Sequence, residues 1–268
     1  MTPRTRMSRI LKWGAASLLV AVAAIVAVMH VVHQRRLEYR LTAELPNSVP
    51  GDPAVMKYAV RIGEQVFQRN CAGCHGADLK GNTAIGAPNL VDGVWLYGDG
   101  SLFEIERTVL YGIRSTHSKS HNVTDMPAFG LRGVLSEAEI RSVIEYLLKL
   151  NGRPYQVEAA NVGREVFTDK GNCGDCHGGD GRGDSYYGAP DLTVNVWNSG
   201  GSPDQLYKSL YFGVHHIMQA WIGTLSLVQI RAVSAYVYAM SQANGSSETV
   251  AAGSAKSAPE TLAAESSR

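Results

Sequence analysis

The chain divides into two hydrophobic regimes. Trp13 to Val32 is an unbroken stretch of 20 residues without Asp, Glu, Lys or Arg. As a helix it would span about 30 Å, the thickness of one bilayer hydrocarbon core. Beyond it the apolar residues are spaced as in short amphipathic helices, separated by Gly- and Pro-rich turns. Ala54 to Phe67 predicts a first helix. Ser101-x-x-Glu104 and Ser136-x-x-Glu139 are capping-box signals for a second and a third. In the third, Ile140, Val143, Ile144 and Leu147 fall on one face. Ser202-x-x-Gln205 and Ser226-x-x-Gln229 repeat the signals further on. Each copy therefore reads as helical, and the expected class is all-α.

The soluble part repeats itself. Gly63-Glu64-Gln65-Val66-Phe67 recurs as Gly163-Arg164-Glu165-Val166-Phe167, and Gly86-Ala87-Pro88-Asn89-Leu90 as Gly188-Ala189-Pro190-Asp191-Leu192. Trp95 and Trp197 keep the same offset of 102, but Ile140, Val143 and Tyr146 recur at 90, as Ile230, Val233 and Tyr236. The first copy therefore carries an insertion of about a dozen residues, between Gly112 and Met126. The expected organisation is a transmembrane anchor with basic flanks over 1–40, a stiff Pro-rich linker over 41–53, and domains over 54–152 and 153–243. A disordered tail is expected over 244–268. Within each copy, Gly63 or Gly163 should let the first helix approach the last. Phe67 should then meet Tyr146, and Phe167 should meet Tyr236.

Charge sharpens the anchor. Residues 1–40 hold seven Lys/Arg and one Asp/Glu, against 18 and 23 in the other 228. A basic end on a mildly acidic body suits a membrane-anchored, exported protein, and a net charge of +1 gives no sign of nucleic-acid binding. Four basic residues precede the apolar run and three follow it, so the positive-inside rule favours a cytoplasmic N-terminus by a narrow margin. A cleaved signal peptide is the alternative, but the run is long for one. Met29-His30-Val31-Val32-His33 is also a poor small-residue cleavage site. His30 and His33 read as interfacial residues.

All four cysteines lie in Cys71-Ala72-Gly73-Cys74-His75 and Cys173-Gly174-Asp175-Cys176-His177. Cys-x-x-Cys-His is the attachment pattern of c-type haem. Two thiols add to the vinyl groups of one haem, and the histidine gives its imidazole to the iron. Two disulfides, or one zinc held by all four thiolates, would use the same cysteines, but neither requires a histidine after each pair. Two covalently bound haem c groups are expected, at Cys71, Cys74 and His75 and at Cys173, Cys176 and His177. Because c-type haem is attached outside the cytoplasmic membrane, the haem domains belong on the periplasmic side of a bacterial inner membrane, after a single span. Two small helical domains have thin cores, so haem would also serve as core.

For the opposite face of each iron, Met126-Pro127-Ala128-Phe129 and Met218-Gln219-Ala220-Trp221 occupy equivalent places before the last helix, each with an aromatic three residues on. A thioether favours ferrous iron. His215 and His216 are rivals for Met218. His117 and His121 read as surface loop residues. Pro88 and Pro190 can offer carbonyls to the His75 and His177 N–H groups. Trp95 and Trp197 suit a propionate edge or core, and Arg114 suits a propionate or a solvated face.

With these residues in view, the chain resembles the dihaem subunit III of cbb(3)-type cytochrome c oxidase, the CcoP/FixP family, over about residues 42–242. The specific matches are Gly86-Ala87-Pro88-Asn89-Leu90 with Trp95-Leu96-Tyr97-Gly98, and Tyr111-Gly112-Ile113-Arg114 with Met126-Pro127-Ala128-Phe129-Gly130. The resemblance implies one transmembrane helix and two tandem class I cytochrome c domains, with Cys71, Cys74, His75 and Met126 at one haem and Cys173, Cys176, His177 and Met218 at the other. It implies electron transfer from a donor cytochrome c to the oxidase core of subunits I and II, with no catalytic site in this chain. A free membrane-tethered shuttle or the cytochrome subunit of a periplasmic dehydrogenase fits the same residues. A dihaem peroxidase would need an open or His-ligated iron with a distal acid–base group.

Overall fold

The computed structural model describes residues 3–254, with side chains described at Trp13 and over 16–244. Among the described residues the fold is helical, and extended pairing is limited to isolated bridges. Helix α1 (Pro3–Ala43) leads into a 3-10 turn (Pro46–Gly51) and α2 (Pro53–Asn70). One attachment motif forms the single-turn helix α3 (Ala72–His75), followed by α4 (Leu102–Tyr111) and α5 (Glu137–Leu150). The second copy gives α6 (Val157–Thr168), α7 (Gly174–His177), α8 (Pro203–Phe212) and α9 (Leu227–Ser254).

The caps form where the sequence signals them. Asp52 Oδ1 accepts from Ala54 N and Val55 N, and Pro53 opens α2, where its missing N–H costs nothing. Ser136 with Glu139, Ser202 with Gln205, and Ser226 with Gln229 each satisfy one another's backbone N–H. Ser101 caps α4 through Glu104 N, but Glu104 turns to Arg107 and does not complete a box.

The helices of the two copies exchange partners. Helix α2 packs on α9, and α5 packs on α6. Phe67 therefore meets Tyr236 (ring centroids 5.6 Å apart), and Phe167 meets Tyr146 (5.4 Å). Gly63 lies against the Ala232 carbonyl and Gly163 against that of Ser142, with no room for a Cβ at either crossing. The within-copy pairing expected from the repeat is thus corrected. Both copies carry the same packing faces, so either pairing buries the same kind of surface. Chain connection favours the exchange, because six residues join α5 to α6 and a short link makes antiparallel neighbours. Lobe A consists of α2, α3, α4 and α9, and lobe B of α5 to α8. Phe67 and Phe167 are almost fully buried, one in each core, each contributing about 1.5–3 kcal/mol of hydrophobic stabilisation.

Two other expectations are corrected. Residues 46–51 form a compact turn, not an extended spacer: Val49 is fully buried, and Asn47 Oδ1 accepts from Phe103 N at the start of α4. Helix α9 continues to Ser254, so residues 244–254 are helical, as their Ala content and lack of proline allow. The rest of the expected tail lies outside the described residues. In α1, Ala16–Ala43 has a mean hydropathy of 2.3 in its most apolar window, and Leu18, Leu19 and Val20 are exposed all round. Nearer its C-terminus, Leu37 and Leu41 turn into lobe A.

Candidate haem sites

Each attachment motif is one helical turn. Cys74 N and His75 N donate to Cys71 O, and Cys176 N and His177 N donate to Cys173 O. The turn brings two sulfurs and one imidazole to the same wall. A folded-back loop then reaches each histidine. Gly81 N donates to His75 O and Leu90 N to Leu79 O, while Gly183 N donates to His177 O and Leu192 N to Gly181 O. The loops place Pro88 O 3.2 Å from His75 Nδ1 and Pro190 O 3.1 Å from His177 Nδ1. Each Nδ1–H is thus directed to a carbonyl, leaving the Nε2 lone pair for a ligand. Burial pushes both imidazoles below the usual histidine range, and the proline carbonyls oppose this more weakly. Burial also pushes the Cys71 and Cys173 thiols up to about 11.

The two walls face one continuous cavity of about 860 Å³, lined by both motifs, both methionines and both tryptophans Trp95 and Trp197. The four cysteines are free and sit in separate lobes, and no group of three or more His, Cys, Asp or Glu among the described residues could hold a bare metal ion. The donor set fits haem: paired thiols, a tautomerically fixed imidazole, an apolar wall and a thioether.

The methionines follow the exchange. Met126 packs in lobe B with Cys173, and Met218 in lobe A with Cys71. The crossing is held by backbone bonds: Ile113 and Met218 exchange N–H to O bonds of 2.9 Å, and Val214 N donates to Met126 O. Gly112 and Gly213 have φ near +75°, and a Cβ on either would strike the carbonyl of the incoming methionine. The resemblance implies Met126 with His75 and Met218 with His177, whereas Met126 packs in the lobe of His177 and Met218 in the lobe of His75. The spacing of residues within a copy carries no signal of this.

The remaining candidates also find places. His215 is exposed and pairs with Asp125 at 2.7 Å, and His216 Nε2 lies 2.9 Å from Ser199 Oγ, so both have partners other than an iron. Arg114, left-handed at φ +50°, lines the cavity and pairs with Asp125 while donating to His216 O and Thr124 O. It ties the two crossing segments together and is no solvated residue. His117 and His121, expected on the surface, stack half-buried on Tyr111 and Tyr97. Tyr97 also covers Gly188, and His216 covers Gly86, contacts between copies that sequence reasoning missed.

Residues 60–151 match the cytochrome c family model, and residues 158–237 match that of cbb3-type cytochrome c oxidase subunit III. The chain is 35% identical to the cbb3-type cytochrome c oxidase subunit CcoP of Cereibacter sphaeroides, over 78% of this chain and 69% of that one. It is 36% identical to CcoP of Rhodobacter capsulatus, over 77% and 70%, and 40% identical to subunit FixP of a Bradyrhizobium species, over 74% and 67%. The chain belongs to the CcoP/FixP family of cbb3-type oxidase subunits. Both motif turns and both proline loops lie within the matched stretches, and so do the two methionines, so family membership covers the whole cavity.

Proposed function

We propose that this chain is the membrane-anchored dihaem electron carrier of a cbb3-type cytochrome c oxidase. It holds two covalent haem c groups, through Cys71 and Cys74 and through Cys173 and Cys176. His75 and Met218 would hold one iron, and His177 and Met126 the other. The haem lobes stand on the periplasmic side of the inner membrane. There they accept electrons from a donor cytochrome c and deliver them to oxidase subunits I and II. When bound, haem supplies one-electron iron chemistry. The chain's own residues set its terms. Pro88 and Pro190 orient the two imidazoles, the methionine sulfurs favour the reduced iron, and the apolar walls keep water from both.

The observation that carries this reading is the paired arrangement of motif turn, proline loop and methionine around one shared cavity. Against a loosely tethered shuttle stands the compact 3-10 turn, which leaves little slack between anchor and lobe A. The test uses the full chain. Pyridine haemochrome should give about two haems per chain, and Cys173→Ala with Cys176→Ala about one. In that single-haem chain, Met218→Leu should abolish the weak Met–ferric band at the red edge of the visible spectrum, and Met126→Leu should leave it. The reverse result would restore the within-copy ligand sets. A haem-loaded chain that never copurifies with a haem–copper core would refute the oxidase assignment.

A further inference from the structure

The least expected group outside the cavity is a buried ion pair. Arg231 on α9 and Glu106 on α4 are each only 5% exposed, and the guanidinium Nε and Nη2 both face the carboxylate, the latter at 3.1 Å. The remaining arginine nitrogen turns to the backbone. Nη1 donates to Leu41 O at 3.0 Å and to Glu44 O at 2.9 Å, the unsatisfied carbonyls at the C-terminal end of α1. A buried cation there also meets the negative end of the helix dipole.

The equivalent positions in lobe B behave differently. The repeat aligns Arg231 with Arg141 and Glu106 with Tyr207. Arg141 lies over the Tyr207 ring, 5.2 Å from its centroid, and is exposed. The carboxylate thus occurs only in the lobe that α1 covers. Around it, Tyr58 OH donates to Glu38 Oε1 at 3.0 Å, Arg61 donates to Gln34 Oε1 at 3.1 Å, and Arg40 pairs with Asp52. All these bonds lie between α1 and lobe A, and α1 makes its helix packing with α2 and α9.

We propose that Arg231 and Glu106 form a latch that locks the end of the membrane helix onto lobe A and so fixes the His75 site in height and orientation above the bilayer. Arg231 is a positioning residue. It comes from the second copy, so the latch closes only when α9 has crossed to α2, and the anchor is docked only on a completed lobe. The latch deepens the carrier reading and rests on it for its use: the site fixed to the membrane is the one that hands electrons to a membrane-embedded core.

The test uses the full haem-loaded chain in membranes. Amide exchange over residues 38–46 should be about tenfold faster in Arg231→Gln, with residues 140–165 unchanged, and Arg231→Lys should recover part of the protection. In oriented membrane multilayers, the ferric signal of the Met218-ligated haem should have a narrow angular spread, broadened in Arg231→Gln. A Gly-Ser-Gly-Ser insertion after Glu44 lengthens the covalent link but spares the latch, so alone it should leave the spread narrow. Unchanged exchange in Arg231→Gln, or a spread broadened by the insertion alone, would overturn the latch. Absence of any low-spin haem signal would instead refute the carrier reading, and the exchange data would still decide the latch.

Discussion

Lobes A and B are built from the same parts and differ in what covers them. Both have a motif turn, a proline loop, a methionine from the other copy and a glycine crossing. Lobe A is also the seat of α1, and there an arginine is buried against a carboxylate and two helix-end carbonyls. In lobe B the aligned arginine stays at the surface over a tyrosine. One repeat thus supplies two electrostatic solutions, and burial decides their energetic weight. A buried pair that loses one partner leaves an uncompensated charge, whereas an exposed cation–π contact is worth under a kilocalorie.

The largest expected effect follows from that difference. Glu106→Gln should destabilise the solubilised holo-chain by about 3 kcal/mol, since Arg231 then keeps its burial without its counter-charge. Arg141→Gln in lobe B should cost about 0.5 kcal/mol. Denaturant unfolding of the two variants would measure both, and equal losses would erase the distinction between the lobes.

A second pair of variants tests what the lobes share. An added Cβ would come within 2.1 Å of Ala232 O at Gly63 and within 1.9 Å of Ser142 O at Gly163. Gly63→Ala and Gly163→Ala should therefore each cost about 2 kcal/mol by forcing the helix pair apart. The first should weaken only the Met band of the haem on His75, and the second only that of the haem on His177. A change at the other haem in either variant would mean that the two crossings are coupled and the lobes are not independent.

Much of this architecture is legible in the sequence, because local chemistry writes it locally. The Ser-x-x-Glu and Ser-x-x-Gln boxes, the proline carbonyls behind His75 and His177, and the apolar stripe of α5 all depend on residues near one another in the chain. The exchange is not legible, for a symmetric reason. Phe67 needs a tyrosine at a glycine crossing, and Tyr146 and Tyr236 offer the same face. Arg231 is hidden differently. Among Val228, Ile230 and Val233 it reads as a polar residue on a helix, and its partners are a carboxylate 125 positions away and backbone carbonyls that have no sequence signature. Pro46 and Pro50 suggested an extended spacer because proline fixes φ equally well in an extended strand and in a tight turn, and the burial of Val49 selects the turn.

The smallest effect concerns a contact that lobe B alone possesses. Glu139 closes the capping box of α5 and also receives Lys170, at the far end of α6, at 2.6 and 2.8 Å. Lys170, first, and then Ser136 lower its carboxyl to about 2 from the ordinary 4.5. Because the folded-state value is the depressed one, the stabilisation is fully present above about pH 4.5 and is lost as pH falls toward 2. In lobe A, α9 has Gln229 at the corresponding cap, which does not titrate. Amide exchange at the N-terminal turn of α5 should therefore speed up between pH 4.5 and 2 beyond its intrinsic pH dependence, while the first turn of α9 follows the intrinsic curve. Glu139→Gln should remove the difference by giving α5 the neutral cap that α9 already has. If the two turns keep different pH profiles in that variant, the asymmetry does not arise from the Glu139 carboxyl, in the cap or in its Lys170 pair.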